Sequence, residues 1–306
     1  MLFVEFLLSS GANANPSMSG PPPPLFIASN TGNLRVIRLL IRHGADVNVL
    51  DDKYASPLHI ASSNGDLKVV QVLLEHGSDV FARDYCNSTP LHLASAKGSR
   101  EVVNLLIEHG ANVNALDDTN TTPLHLALVN DNLNIVNILV QHGADVKCPH
   151  NKKSTPLHLA AVGGNFDSVK LLVEYGTSLH ARDNNKSTPL HLAADSGSFE
   201  VVRFLIQHGA DPNHQDNNGS SPLHLSSDNG GFPIVELLIL HNADINPRNK
   251  RNSTPLHIAS RHGYLDIVKL LLERAADSNA PNDKGRTLLH IASQEGVVDI
   301  VRCLLT

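Results

Sequence analysis

A six-residue phrase, Thr89-Pro90-Leu91-His92-Leu93-Ala94, returns along this chain every 33 residues. A fixed period of that length dictates the fold before any other property does. The second position of the phrase is Pro24, Pro57, Pro90, Pro123, Pro156, Pro189, Pro222, Pro255 and Leu288, with no insertion or deletion between copies. The fourth is Phe26, then His59, His92, His125, His158, His191, His224, His257 and His290. Seventeen residues after the Thr slot stands a leucine in all nine copies, among them Leu40, Leu73, Leu106, Leu205 and Leu304. No unit of this size can bury its own apolar face, so the units must stack and shield one another.

The local chemistry of one period reads as helix, turn, helix and extended loop. Thr89 is suited to the N-cap, where its hydroxyl accepts from an orphan N–H, and Pro90 then occupies the first helical position without loss. Gly98 ends this short helix. A second helix, Glu101 to about Glu108, presents Val102, Val103, Leu105, Leu106 and Ile107, and Gly110 supplies a left-handed stop. Ala111 to Thr121, with Asp117-Asp118-Thr119-Asn120 at its centre, carries turn chemistry. Asn87, Asn120, Gly219, Asn252 and Gly285 share a loop slot two residues before the Thr, where positive φ is expected. Tyr54, Lys153 and Lys186 fall in the same slot and are expected to be strained there or to relax into another turn.

The Thr-Pro-Leu-His helix start on a 33-residue period resembles the ankyrin repeat, over essentially the whole chain. That resemblance implies an all-α solenoid of stacked helix-turn-helix units, with β-hairpin-like loops projecting at right angles. It implies a concave face of loop tips and first helices, used to bind proteins. For the helix-start histidines it implies hydrogen bonds to neighbouring backbone that tie repeats together.

On this register residues 1–15 form an incomplete N-terminal repeat holding only its second helix. Residues 16–306 form nine copies starting near 23, 56, 89, 122, 155, 188, 221, 254 and 287, the last truncated. Apolar residues stand at both ends (Phe3, Phe6 and Leu7; Leu304 and Leu305), where a terminal repeat normally turns a polar face outward. The expectation is therefore a piece of a longer chain. Met1 to Ser10 with Ala12-Asn13-Ala14 also has the outline of a secretory signal, but it lacks a basic start and Glu5 interrupts it. The repeat register explains it better. Pro16 to Pro24 replaces the usual loop with a stiff polyproline-like segment. Three departures stand out: Asp131 replaces a first-helix Gly, while Asn242 and Ala275 replace second-helix ones. Ala275, with its Cβ, marks a looser repeat. Pro233 lies in a first turn, where it is tolerated.

Composition narrows the function. Aromatics are 4% with no Trp, which suits many thin layers better than one deep core. The net charge of −6 disfavours nucleic-acid binding by bulk electrostatics. Cys86, Cys148 and Cys303 are too few and too scattered for a disulfide framework, which favours an intracellular setting, cytoplasmic with the nucleus as the alternative. No apolar stretch reaches membrane-spanning length.

The 18 histidines invite a metal or catalytic reading, but they form ladders rather than converging on a point. Besides the helix-start set, His43, His76, His109, His142, His208 and His241 precede the second-helix stop, where a cation complements the helix dipole. No nucleophile elbow, phosphate loop or kinase signature occurs, and the acidic pairs Asp51-Asp52 and Asp117-Asp118 sit on repeated loop tips. Asn87-Ser-Thr, Asn120-Thr-Thr and Asn252-Ser-Thr match glycosylation acceptors as a by-product of turn slot plus cap. The chain reads as a non-enzyme with no metal, catalytic residue or cofactor.

What varies between repeats is the surface. Tyr54 and Tyr85 are expected on adjacent tips, as are Lys152, Lys153 and Lys186. Lys250, Arg251, Arg261 and His262 follow as a cluster suited to an acidic partner. These nine are the candidate partner-binding residues of a protein-interaction scaffold, monomeric or part of a longer chain, whose partner is a protein that the sequence does not name. The alternative is the targeting arm of a larger enzyme, channel or ubiquitin-ligase adaptor.

Overall fold

A computed structural model describes residues 2–15 and 21–305. Among them are nineteen α-helices and no strand. Contacts divide the chain into two compact units, Met1–Asn151 and Lys152–Thr306. The first holds the helix Leu2–Ser9 and four helix pairs, from Pro24–Asn30 with Leu34–Arg42 to Pro123–Val129 with Leu133–Gln141. The second holds five pairs, from Pro156–Val162 with Phe166–Glu174 to Leu288–Glu295 with Val298–Leu305. Leu2–Ser9 packs beside Leu34–Arg42. Of the proline-rich segment, residues 16–20 lie outside the described residues.

Within each unit first helices pack on first helices and second helices on second helices. The cores repeat accordingly: Leu58, Leu91 and Leu124 in the first unit, and Leu157, Leu190 and Leu223 in the second, are buried. Leu73, Leu106, Leu139, Leu172, Leu205 and Leu238 fill the second-helix side. The alanines that follow the motif histidine by two, such as Ala61, Ala94, Ala160 and Ala193, let neighbouring helices approach and are likewise buried.

The loops are held by devices the motif did not reveal. An Asp or Asn at the loop entrance folds back on its own backbone: one Asp51 oxygen accepts from the N–H groups of Lys53 (2.9 Å) and Ala55 (2.7 Å). Asp84, Asp117, Asp183, Asp216, Asn249 and Asn282 repeat the arrangement. This is the role of Asp51 and Asp117, whose carboxylates stiffen the loop. Among the described residues His150 alone departs from Asp or Asn in that slot, next to the Asn151/Lys152 boundary between the units.

Positive φ follows in the expected slot at Asn87, Asn120, Gly219, Asn252 and Gly285, and also at Tyr54 (58°), Lys153 (55°) and Lys186 (56°). The three bulky residues thus accept the left-handed conformation, at about 1–2 kcal/mol each. Asp131, Asn242 and Ala275 likewise keep the left-handed conformation of the glycines they replace.

Within each unit a second set of bonds ties repeat to repeat. Asn114 Nδ2 donates to the Gly143 carbonyl (2.9 Å) while its Oδ1 accepts from the Asp145 N–H (2.7 Å), stitching one repeat to the next. Asn15, Asn48, Asn213 and Asn246 do the same in their repeats.

Candidate functional site

Seven of the eight helix-start histidines, His59 to His257, are buried between repeats and tautomerically fixed, whereas His290 in the last copy is exposed. The Thr89 N–H donates to His92 Nδ1 (3.0 Å), so that nitrogen is the acceptor and the proton sits on Nε2. Nε2–H then donates to the Thr121 carbonyl of the following repeat (3.0 Å). His59, His158, His191, His224 and His257 repeat the bridge to Ser88, Ser187, Ser220, Ser253 and Ala280. The expected cap is present and is extended into a capping box: the Thr122 and Thr254 hydroxyls accept from the backbone N–H of His125 and His257 (3.4 Å), and the Thr hydroxyls also lie 2.8–2.9 Å from the histidine Nδ1.

Burial lowers the pKa of His59, His92, His191 and His257, and pushes those of His125 and His224 down to about 4. At His125 the His150 ring, 5.6 Å away, adds to the effect of burial. His125 Nε2 finds no hydrogen-bond partner among the described residues; the Cys148 backbone acts on it electrostatically without meeting bonding geometry.

The second histidine class also serves the fold. His76, His109, His142, His208 and His241 each donate from Nδ1 to the carbonyl four residues earlier, at 2.8–2.9 Å, and at the last four that carbonyl also accepts the histidine's own backbone N–H, so the side chain adds a second bond at the helix end. Among the described residues no three His, Cys, Asp or Glu side chains gather as a metal site. The cysteines Cys86, Cys148 and Cys303 form no disulfide.

What remains is a groove in the second unit. Two adjoining concavities of about 290 and 510 Å³ run between loop tips and first helices over residues 218–295. Arg251, Ser253, Ile258 and Arg261 line both. Lys250, Arg251, Arg261, Lys284 and Arg286 face Asp228, Asp283 and Glu295, an excess of positive charge in a chain that is negative overall.

The tips hold that register because each donates one backbone N–H to its predecessor: Lys250 to the Asn218 carbonyl (2.7 Å) and Asp283 to that of Arg251 (3.0 Å). Gly219 permits the approach. It adopts φ 73°, and a Cβ there would stand 3.1 Å from Asn249 Cα and from the Lys250 nitrogen.

The candidate residues fall into separate patches. Tyr54 (60% exposed) and Tyr85 (73%) occupy adjacent tips of the first unit, joined by the Tyr85 N–H to the Lys53 carbonyl (2.8 Å). Lys152, Lys153 and Lys186 lie on adjacent tips of the second unit, joined by the Asn184 N–H to the Lys152 carbonyl (2.9 Å). Lys250, Arg251 and Arg261 come together in the groove. His262 stands beside it, stacked on Tyr264 with ring centroids 5.6 Å apart.

Sequence reasoning missed Asp228, which accepts from Arg261 (3.1 Å) and lies 2.9 Å from His262 Nε2, partly neutralising both. It also missed Lys284 and Arg286. Lys284 stands one period after Arg251, which was the available signal.

The family model described as "Ankyrin repeats (3 copies)" matches residues 2–84, 82–150, 144–216 and 208–282, and "Ankyrin repeats (many copies)" matches 262–305. No curated protein matches the chain at significant similarity.

Proposed function

The chain belongs to the ankyrin repeat family, and from that premise we propose that it is a non-enzymatic scaffold binding a partner protein through loop tips and first helices. Ankyrin repeats generally mediate protein–protein interaction, and no helix among the described residues is long and apolar enough to cross a membrane. On this reading the nine copies starting near residue 23, with the partial repeat before them, form the binding module.

One observation carries the proposal: a solvent-open groove, walled by rigid tips, whose Lys250, Arg251 and Lys284 side chains enter no ion pair among the described residues. Three cations outside any ion pair, carried on tips tied by backbone hydrogen bonds, attract acidic partners and set their register more than they aid folding. Tyr54 and Tyr85 offer a second anchor on the first unit, since exposed Tyr side chains are favoured at interfaces.

The test is affinity capture from source lysate, comparing the natural chain with the triple variant Lys250→Glu, Arg251→Glu, Lys284→Glu and with Tyr54→Ala, Tyr85→Ala. Selective loss of a captured protein with either variant is expected. Identical capture by all three chains would refute both surfaces.

A further inference from the structure

The groove repeats itself at the pitch of the stack, and that periodicity selects a shape of ligand. Arg251 and Lys284 are equivalent positions one 33-residue period apart. Each sits on the same turn: the Arg251 N–H donates to Asn249 Oδ1 (2.9 Å), and the Lys284 N–H to Asn282 Oδ1 (2.9 Å). The tips are tied by the Asp283 N–H to the Arg251 carbonyl (3.0 Å). The backbone positions that carry the two cations are therefore offset by one stacking step, about 8–10 Å for packed helices, within which both side chains can meet carboxylates at that pitch. Arg251 borders both concavities, so a ligand reaching from one into the other must pass it.

A polyproline-type chain rises about 3.1 Å per residue with three residues per turn, so residues i and i+3 lie on one side about 9 Å apart. A β-strand at about 3.3 Å per residue turns residues i and i+3 to opposite faces. We propose that the groove receives an acidic peptide segment in extended polyproline-type conformation, with carboxylates three residues apart seated on Arg251 and Lys284. This rests on the protein-binding reading above.

The groove wall already holds one carboxylate in this way, since Asp228 takes Arg261 at 3.1 Å with His262 at 2.9 Å. Two features favour peptide over nucleic acid. No Phe, Tyr or Trp lines either concavity, so bases have no ring to stack on. Asp228, Asp283 and Glu295 also interrupt the positive surface, which repels a continuous phosphate backbone but leaves room for carboxylates at intervals.

The experiment uses the full chain and a fluorescein-labelled peptide of four Glu-Pro-Pro triplets, read by anisotropy at roughly 50 and 300 mM salt. A control block peptide has the same composition but gathers its four Glu toward one end as Glu-Pro repeated four times, followed by four prolines, so that no two Glu stand three residues apart, and a thymidine oligonucleotide of matched length forms a third arm. The periodic peptide is expected to bind at least about tenfold more tightly than the block peptide. The paired substitution Arg251→Glu, Lys284→Glu should abolish that preference and transfer it to a peptide of four Lys-Pro-Pro triplets. Because the substituted side chains are exposed, an unchanged circular dichroism melt verifies that the variant is folded.

Equal affinity for periodic and block peptides would overturn the spacing argument. Tighter binding of the oligonucleotide would overturn the choice of ligand. If neither peptide binds while the Lys250, Arg251 and Lys284 substitutions still remove a protein from lysate capture, this inference falls and the binding reading stands. If capture is unchanged with those substitutions and with Tyr54→Ala, Tyr85→Ala as well, the binding reading falls with it.

Discussion

Lowering the pH from 7.5 to 5.0 should loosen the stack, and His224 shows by how much. Its ring is 1% exposed. Nδ1 accepts from the Ser221 N–H (3.0 Å), and Nε2–H donates to the Ser253 carbonyl (3.1 Å). A second proton must land on Nδ1, where it faces the Ser221 N–H, and burial penalises the charge, so the pKa is pushed down to about 4. In the unfolded chain the same group titrates near 6.5. Between those values the unfolded state binds the extra proton. Stability is therefore fully present above about pH 6.5, falls as pH drops toward 4, and is level below that. At pH 5 the difference amounts to about 2 kcal/mol for His224, and about as much for His125, whose pKa is also about 4. His59, His92, His191 and His257 act in the same direction.

Urea titrations at the two pH values, followed by circular dichroism, measure the total. The control is His224→Phe, since Phe26 fills the equivalent slot in the first copy. This variant should be less stable at pH 7.5, and its further loss on acidification should be about 2 kcal/mol smaller than that of the natural chain. Histidine carbon-bound proton shifts give the pKa directly. A buried-histidine pKa near 6.5, or equal stability at both pH values, would refute the reasoning.

Three further changes test the packing. Leu106→Ala, at a fully buried position, should destabilise its unit by about 2–5 kcal/mol in thermal or urea unfolding. Asn114→Ala removes two inter-repeat hydrogen bonds and should reduce stability by about 1–3 kcal/mol, with faster amide exchange at Asp145. Ala275→Gly relieves a left-handed alanine (φ 63°) and should raise stability by about 1 kcal/mol, read as a higher melting temperature.

Much of this was legible in the chain because a solenoid's contacts are local and periodic. The motif located both helices of every repeat, the Asn and Gly loop slot revealed a backbone requirement, and Leu106 and its equivalents marked the core. The loop Asp residues were visible but read only as exposed acids, since nothing in their type says that Asp51 turns back on its own N–H groups. The Asn114 ladder was overlooked because its partners stand 29 and 31 residues away, and Phe81, Lys147 and His180 interrupt its repeat in the sequence.

The sequence alone determined the family, the repeat register and the buried faces, because apolar side chains at a fixed period can be hidden only by stacking copies. Tertiary structure decided which surface charges meet. Arg261 and Asp228 are 33 residues apart in the chain and 3.1 Å apart in space, so a cation that reads as available is half engaged. Lys284, unremarkable in isolation, becomes the neighbour of Arg251 once the tips are tied in register. Charges act through distance, and only the folded stack sets those distances.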